Sequence, residues 1–522
     1  MREPGNAKVN LVALVMVWAA AFLATPVQAA NVGVEETLKA IDRMAAAGPY
    51  RPTWESLAEF QVPQWYQDAK FGIFVHWGAY SVPGYGNEWY PREMYNANKS
   101  RRGVYQHHLK TYGKPSEFGY KDFIPMFKAE KFDAAEWAQL FREAGARYVI
   151  PVAEHHDGFP MYDCSYTDWN AAKMGPKRDV IGELAEAIRK EGLTFGLSSH
   201  RMENWWFYGE GRKVESDVTD ERYRGLYGPA RDRKESEDGK TPPDEAFLAD
   251  WLLRCCELVD KYQPQVIWFD WWIAQRPVQS YLKTFSAYYY NRGVQWNKGV
   301  AINYKKFGGE SFPDTAGVLD IERGGLAEIR DLFWQTDTSV SKTSWGYVTN
   351  HQYKTVDSLI DDLIDIVSKN GCMLLNIGPK PDGTIPKAEQ KMLLDMGAWL
   401  RINGEAIYGS RPWDRYGEGP TQVEDGTMAN DAERRRRDFG AEDLRFTTKG
   451  ETLYVIGLEW PGDGAVVSIR SLAVGKGLDR IGTVTLLGHD GRLDIRRNEK
   501  GLSVTLPVRK PCDFAYVLKI AR

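Results

Sequence analysis

The stretch that decides the fold is "KFGIFVHWGAYSVPGYGNEWY", residues 70–90. It begins as a strand, because "FGIFV" at 71–75 is an uninterrupted apolar run of the kind that is buried on both faces of a sheet. It then continues as a loop rich in aromatic residues, with a histidine (His76) and a carboxylate (Glu88). The loop therefore predicts a pocket at the carboxyl end of this first strand.

Similar apolar runs recur along the chain and alternate with helical patterns. We predict strands at 71–75, 148–152, 193–198, 264–269, 299–303, 317–321, 331–336 and 372–377. Helical patterns lie at 133–146, 180–192, 244–262 and 396–409, whereas helices between 303 and 340 are poorly marked. Apolar strands that alternate with helices are typical of a parallel sheet covered by helices. Eight such units predict an α/β fold of the (β/α)₈ type, a TIM barrel.

The pattern changes after the last predicted helix, which ends at Asn403-Gly404. From residue 412 onward the sequence consists of short alternating segments separated by turns, such as "ETLYVIGLEW" and "GLSVTLP". Short strands at this spacing are typical of an antiparallel β-sandwich. We therefore predict a barrel domain over residues 30–411 and a C-terminal β-sandwich domain over residues 412–522.

The first 29 residues have the pattern of a signal peptide. Arg2 and Lys8 precede the apolar run at 11–24, and the small residues Val27 and Ala29 are spaced as at a signal-peptidase site. The apolar run is short for a membrane span. We expect cleavage after Ala29, a periplasmic or secreted protein, and no membrane attachment after cleavage; a retained N-terminal anchor is the alternative.

The composition excludes several classes of function. The 522 residues carry a net charge of -4, whereas nucleic-acid binding calls for a basic patch, so we expect no nucleic-acid partner. The five cysteines are scattered and form neither a disulfide framework nor a Cys/His metal motif. The 19 Trp and 27 Tyr indicate either a large core or a sugar-binding protein. No cofactor motif is present, and a homo-oligomer is compatible with the sequence.

Residues that can do chemistry follow the predicted strands, and active sites of such barrels lie at the carboxyl ends of the strands. In chain order they are His76, Glu88, Trp89, His155, His156, His200, Trp268, Asp270, Lys305, Glu322 and Trp345. Four of the eight histidines fall on this one predicted rim, together with carboxylates and tryptophans. This convergence predicts a functional cleft.

Two carboxylates in this set suggest the chemistry. Asp270 follows the fourth strand and Glu322 follows the sixth, and a pair of carboxylates flanking a bond is the arrangement for glycoside hydrolysis. One must be ionised to attack the anomeric carbon, and the other must hold a proton. The alternative is a metal site at "EHHD", residues 154–157. Adjacent histidines point in different directions and neither HxH nor HExxH spacing is present, so we expect no metal.

Several long motifs resemble those of the α-L-fucosidases of glycoside hydrolase family 29, and the likeness runs from about residue 50 to residue 412. They are "AKFGIFVHWGAYSVPGYGNEWY", "EHHDGFPMYDCSYTDWNAAKMGPKRDVIGEL", "WFDWW", "DIERG", "WQTDTS", "SWGY" and "LLNIGPKPDGTIP". The resemblance implies a retaining, exo-acting hydrolase that removes α-linked L-fucose from the ends of oligosaccharides and glycoconjugates. It implies no metal and no cofactor.

The resemblance also implies roles for individual residues. Asp270 matches the family nucleophile; Glu322 is the candidate acid/base, with Glu203 and Glu310 as rivals. Trp345 would pack against the C6 methyl group of fucose. The positions that bind fucose hydroxyls or line the pocket are His76, Glu88, Trp89, His155, His156 and Trp268.

The chain departs from the family at two places near the expected sugar. Ser198, Ser199 and His200 stand where relatives often carry a tyrosine pair, and Lys305 stands near a position where many have arginine. We count His200 and Lys305 among the substrate-binding residues.

Two alternative functions stay open at this point. One is a catalytically silent fucose lectin on the same barrel, and the other is a hydrolase of a related sugar such as galactose. A retaining mechanism requires the two carboxyl groups to lie ~5–5.5 Å apart, which gives a geometric check on Glu322.

Overall fold

The structure is a computed structural model that describes residue 1 and residues 33–232, 241–306, 312–426 and 438–521. The predicted signal peptide, apart from Met1, and the rival carboxylate Glu310 lie outside the described residues. All five cysteines are described; they are free thiols, and four of them are buried. Among the described helices, none is long and apolar enough to cross a lipid bilayer.

Eight parallel strands close into a barrel in the order β1 to β8, which confirms the predicted fold class. They are β1 (Phe71–Val75), β2 (Tyr148–Glu154), β3 (Thr194–Ser199), β4 (Val266–Phe269), β5 (Ala301–Tyr304), β6 (Val318–Asp320), β7 (Trp334–Ser339) and β8 (Gly371–Ile377). Every residue of β1 and β2 is buried, as the continuous apolar runs predicted.

Helices surround the barrel, and several of them begin where a polar side chain caps the first turn. They are α1 (Val34–Ala47), α2 (Trp54–Leu57), α3 (Gln64–Ala69), α4 (Tyr90–Glu93), α5 (Val104–Thr111), α6 (Ala134–Glu143), α7 (Val180–Lys190), α8 (Asn204–Phe207), α9 (Arg224–Tyr227), α10 (Glu245–Tyr262), α11 (Gln279–Gln295), α12 (Val356–Ser368) and α13 (Lys387–Asn403). Asp133, Asp179 and Asp244 accept backbone N–H bonds at the starts of α6, α7 and α10. Such caps satisfy donors that a helix leaves free at its N-terminus.

The barrel departs from regular alternation on one side. Within the part of the chain that the structure describes, no helix lies between β5 and β6 or between β6 and β7. This agrees with the poorly marked helical pattern between 303 and 340. The loop that carries Glu322 therefore has no following helix to support it.

The predicted position of β7 was wrong by three residues. The sequence placed the strand at 331–336 and left most of "QTDTS" outside it, because polar residues are unusual in a buried strand. In the structure β7 runs to Ser339, and its polar side chains find partners around the barrel interior. Tyr66 and Tyr148 both donate to Gln335, and the Lys305 ammonium lies 3.2 Å from Asp337 Oδ2. Buried polar groups are tolerated where they are paired in this way.

The C-terminal domain is an antiparallel sandwich, as predicted. Its strands are β9 (Arg411–Glu418), β10 (Leu444–Lys449), β11 (Thr452–Gly457), β12 (Val466–Ile469), β13 (Val484–Leu486), β14 (Asp494–Asn498), β15 (Gly501–Thr505) and β16 (Tyr516–Ile520). They form a five-stranded sheet in the order β13-β16-β11-β10-β9 and a three-stranded sheet in the order β12-β15-β14. Side chains of both sheets, such as Phe446 and Val504, share one apolar core.

The two domains meet through a buried ion pair. Arg445 on β10 donates to Asp365 on α12 over 2.6 Å, and Lys369 contacts the other oxygen of Asp365 at 2.9 Å. Nearby, the Trp399 indole donates to the carbonyl of Ala515. Because Arg445 and Asp365 are almost fully excluded from water, removing either side chain would leave a buried charge short of a partner.

We predict that Arg445→Ala lowers the free energy of unfolding by ~3–5 kcal/mol, because it leaves Asp365 charged, buried and short of a partner. Denaturant unfolding followed by circular dichroism measures this change. Arg470→Ala is the control, since Arg470 is exposed and pairs with Glu418 at the surface, where a salt bridge contributes ~0–1 kcal/mol. Equal losses in the two variants would contradict the proposed importance of the buried pair.

Candidate active site

The structure brings the predicted residues together at the carboxyl ends of the barrel strands. Glu310, outside the described residues, and Glu203, which lies one layer deeper, are the exceptions among the candidates. The residues in or directly beside this rim are His76, Glu88, Trp89, His155, His156, His200, Trp268, Asp270, Lys305, Glu322 and Trp345.

The Lys305 ammonium is the centre of the site. It lies 2.8 Å from Glu322 Oε2, 3.2 Å from Asp337 Oδ2 and 3.6 Å from Asp270 Oδ1, and it is almost fully buried. Its Nζ atom also lies over the Trp268 and Trp271 rings. Burial would lower the pKa of Lys305, but the three carboxylates raise it above its usual value, so the side chain stays charged.

This shared ammonium limits the separation of the two candidate catalytic carboxylates. Asp270 Oδ1 and Glu322 Oε2 can be no farther apart than their two distances to Nζ added together, about 6.4 Å. That limit accommodates the predicted ~5–5.5 Å separation of carboxyl groups in a retaining mechanism. It also excludes a placement of Glu322 Oε2 beyond 9 Å from Asp270 Oδ1, which would have contradicted the assignment of Glu322.

Asp270 is held in its ionised form. Burial alone would raise its pKa, but Lys305 and His156 lower the pKa below the ordinary value of an aspartate. His156 Nε2 lies 3.4 Å from Asp270 Oδ2, and His200 Nδ1 lies 4.0 Å from the same oxygen. An ionised carboxylate with a fixed orientation is what a nucleophile requires.

Glu322 receives two donors on one oxygen. The Trp271 indole and the Lys305 ammonium each lie 2.8 Å from Oε2. The side chain is 13% exposed, so it can reach a ligand in the cleft. This combination of partial exposure and fixed orientation suits a group that exchanges protons with a bound molecule.

The rival Glu203 lies behind His156. Its side chain is completely buried, 3.3 Å from His156 Nδ1 and 3.4 Å from Arg92. Burial would lower the pKa of His156, but Glu203 and then Asp270 raise the pKa above its usual value. Glu203 thus supports a charged His156, which in turn supports the ionised Asp270.

Three other imidazoles form a neutral cluster. The ring centroids of His76, His155 and His200 lie 4.9–5.6 Å from one another. Burial lowers the pKa of His76 to about 3 and holds the pKa values of His155 and His200 well below the usual range. The buried Nδ1 atoms of His155 and His200 have no hydrogen-bond partner, so they are available to a ligand.

The same cluster has the donor set of a metal site. Ligand atoms of His76, His155 and His200 lie within 4.8 Å of one another, as do those of His156, His200 and Asp270. Neutral imidazoles suit zinc or copper. Imidazole nitrogens that both donate and accept suit sugar hydroxyl groups equally well. The expected absence of a metal therefore stays a prediction.

Glu88 and Trp345 form one wall of the site. Glu88 accepts bonds from the backbone N–H of Trp345 at 2.8 Å and from Ser344 Oγ at 3.2 Å. The Trp345 ring lies 5.3 Å from the His76 ring, and Asn376 on β8 bonds both His76 Nδ1 and the Trp345 carbonyl. This places an apolar indole surface beside the neutral histidines.

Trp89 and Trp268 line two further parts of the site. The Trp89 ring centroid lies 5.3 Å from that of His156, and the Trp268 ring centroid lies 4.9 Å from that of His200. Trp268 is fully buried beneath the Lys305 ammonium, whereas Trp89 is partly exposed. The first supports the charged centre, and the second is accessible to a ligand.

Several residues outside the predicted set of catalytic and substrate-binding residues complete the site. Asp337 and Asp320 lie behind Lys305, Asn376 orients His76, and Trp271 donates to Glu322. Asp337 lies in the motif "WQTDTS" and Asn376 lies in "LLNIG", but the sequence alone did not indicate a role for either residue. The signal that could have identified Asn376 is a polar residue near the end of an otherwise apolar barrel strand.

Comparisons with known proteins show what the whole chain is similar to. A family model described as "Alpha-L-fucosidase" matches residues 37–405, and one described as "Alpha-L-fucosidase C-terminal domain" matches residues 436–521. Tissue alpha-L-fucosidase of Rattus norvegicus is 32% identical over 493 residues, covering 91% of this chain and 93% of that protein. Plasma alpha-L-fucosidase of Homo sapiens is 32% identical over 489 residues, with 91% and 93% covered.

Solved structures show the same architecture. The Thermotoga maritima alpha-fucosidase in complex with fucose superimposes with a TM-score of 0.72 at 33% identity, covering 90% of this chain and 100% of that chain. A complex of the Thermotoga maritima alpha-fucosidase with a mechanism-based inhibitor also gives 0.72 at 33% identity, with 91% and 100% covered.

Proposed function

The chain belongs to the α-L-fucosidase family of glycoside hydrolases, and from that premise we propose that it removes terminal α-linked L-fucose from oligosaccharides and glycoconjugates with retention of configuration. The observation that carries this proposal is the Lys305 ammonium in contact with both Asp270 and Glu322. Two carboxylates within reach of one cation are the pair that a double-displacement glycosidase needs. A sugar-binding lectin would have no use for this pair.

In the first step Asp270 attacks the anomeric carbon and the bond to the leaving oxygen breaks. Glu322 donates its proton to that oxygen, so the aglycone departs as a neutral alcohol. Asp270 starts ionised because Lys305 and His156 lower its pKa.

In the second step Asp270 becomes the leaving group and Glu322 acts as the base. Asp270 is now an ester and carries no charge, so more of the attraction of Lys305 acts on Glu322, whose Oε2 atom is already 2.8 Å away. Glu322, which gave up its proton in the first step, accepts a proton from the incoming water. The water oxygen bonds to the anomeric carbon, fucose leaves Asp270, and both groups return to their starting states.

The surrounding residues fit a small deoxy sugar. His76, His155 and His200 are neutral and present nitrogens that can donate to or accept from hydroxyl groups, while Glu88 accepts. Trp345, which lies 6.4 Å from Phe74 and beside His76, provides an apolar surface for the C6 methyl group. A galactose-type sugar would place a hydroxyl group against this surface and leave it without a partner.

We predict that Asp270→Gly loses at least ~10³-fold of the kcat for 4-nitrophenyl α-L-fucoside without a change in fold, since the nucleophile is gone. Added azide should restore release of 4-nitrophenol and yield the inverted β-L-fucosyl azide. Asp314→Gly is the matched control, because this carboxylate pairs with Lys306 and Arg330 away from the central ammonium. Full activity in Asp270→Gly would contradict the assignment.

We predict that Glu322→Ala slows the hydrolysis of natural fucosylated glycans by about 10²–10⁴-fold and affects activated aryl fucosides much less, because good leaving groups need no acid. Rates on the two substrate classes measure this difference. Glu203→Ala tests the rival assignment and should not show the same dependence on the leaving group. If Glu203→Ala shows it and Glu322→Ala does not, the roles are reversed.

We predict that Lys305→Met moves the acid limb of kcat/KM to higher pH by about 1–3 units. Asp270 must be ionised to attack, and activity falls as the pH drops through its pKa. Lys305 lowers that pKa, so its removal raises the pKa and moves the limb upward. Lys306→Met is the control, because Lys306 is half-exposed and pairs with Asp314. An unchanged acid limb in Lys305→Met would contradict the role of the ammonium.

We also propose that the protein acts outside the cytoplasm after loss of residues 1–29. Expression of the full chain in a bacterial host should give a mature protein that begins at Ala30, as measured by intact mass and N-terminal sequencing of the exported fraction. Replacing Ala29 with a bulky residue such as Phe should block cleavage. A protein that keeps Met1 in the exported fraction would favour the retained anchor.

A further inference from the structure

The second domain reaches the loop that carries Glu322. Residues 420–426, which we call the strap, leave the end of β9 and run to the connection between β6 and β7. There Gly426 and Gly325 form an antiparallel bridge, in which each backbone N–H donates to the other's carbonyl over 3.3 Å. The bridge lies three residues from Glu322 in sequence.

Two further contacts show that the strap packs closely against the Glu322 loop. Asp425 Oδ1 accepts a hydrogen bond from the backbone N–H of Ala327 at 2.7 Å. A methyl group on Gly324 would lie 1.7 Å from the carbonyl oxygen of Gly426, so the strap leaves no space for a side chain there. The strap and the Glu322 loop are therefore in direct backbone contact.

The strap is also fixed to its own domain. Thr421 donates its N–H to Asp443 Oδ1 at 3.0 Å, and Asp443 is buried against the sandwich. Gly419 has a φ of 134°, which favours glycine, and a Cβ there would lie 2.2 Å from the same Asp443 oxygen. The strap is therefore bonded to the sandwich at one end and to the barrel loop at the other.

The Glu322 loop lacks the support that most other barrel loops have. No helix lies between β6 and β7 in the residues that the structure describes. On its barrel side the loop is held by the Arg323 N–H bond to the Asp337 carbonyl and by the Arg323 guanidinium bond to the Ser341 carbonyl. On its other side the loop is held by the strap, through the Gly325–Gly426 bridge and the Asp425 hydrogen bond.

We propose that the strap positions the Glu322 loop, so that the C-terminal domain sets the reach of the acid/base carboxyl toward the leaving oxygen. Asp425 and the Gly325–Gly426 bridge act as positioning groups, through Glu322, and neither touches the sugar. The inference depends on the proposed function only in taking Glu322 as the acid/base. A small displacement of such a group can cost up to about a hundredfold in rate.

The test compares Asp425→Ala with Glu424→Ala in the full-length mature protein. Glu424 is the exposed neighbour with the same charge, so it controls for the loss of a carboxylate from the strap. Both variants are assayed on 2,4-dinitrophenyl, 4-nitrophenyl and phenyl α-L-fucosides, which need increasing help from an acid. Asp425→Ala should lower kcat/KM for the phenyl fucoside by about 10–100-fold and leave the 2,4-dinitrophenyl fucoside nearly unchanged. Glu424→Ala should behave as the wild type.

Gly324→Ala provides a second variant, because its methyl group forces the strap away without removing any charge. It should show the same dependence on the leaving group while its circular dichroism spectrum at the assay temperature stays that of the wild type. An equal loss on all three fucosides, or no loss in either variant, would overturn the positioning role. Wild-type protein that hydrolyses none of the three would instead contradict the proposed function, so the two failures are distinguishable.

Discussion

One buried ammonium organises this site. Lys305 contacts Asp270, Glu322 and Asp337 at once, and the surrounding carboxylates keep this buried cation charged. The Trp268 and Trp271 rings pack against the ammonium, and Lys305 directly follows the last residue of β5. Without the cation, carboxylates confined to so small a volume would repel one another and the pKa of Asp270 would rise. The nucleophile, the acid/base and the local charge balance all depend on this one contact set.

Two further carboxyl groups, those of Asp337 and Asp320, lie behind Lys305. Burial and the neighbouring Asp320 raise the pKa of Asp337 well above the usual value, and burial raises the pKa of Asp320 as well. Because two neighbouring carboxylates repel one another, their proximity favours the protonated form of one of them. This pair therefore does not compete as two full charges for the ammonium, and Lys305 remains available to Asp270 and Glu322.

Much of this arrangement was predictable from sequence, for physical reasons. Asp270 and His76 directly follow apolar strands, and parallel barrel strands bring their carboxyl ends to one rim. The extent of β7 was not predictable, because Gln335 and Asp337 are polar and only their partners in the barrel justify burial. The contact between Gly325 and Gly426 could not be predicted either, because the two glycines belong to different domains and no local sequence pattern indicates that they pair.

The most direct test of the central claim is to trap the covalent intermediate. A 2-deoxy-2-fluoro-α-L-fucosyl fluoride has a good leaving group and a slow second step, so the ester on the nucleophile should accumulate. Peptide mapping by mass spectrometry then identifies the labelled residue. The account predicts a single fluorofucosyl group on Asp270. A label on Glu322, Glu203 or another carboxylate, with Asp270 unmodified, would contradict it.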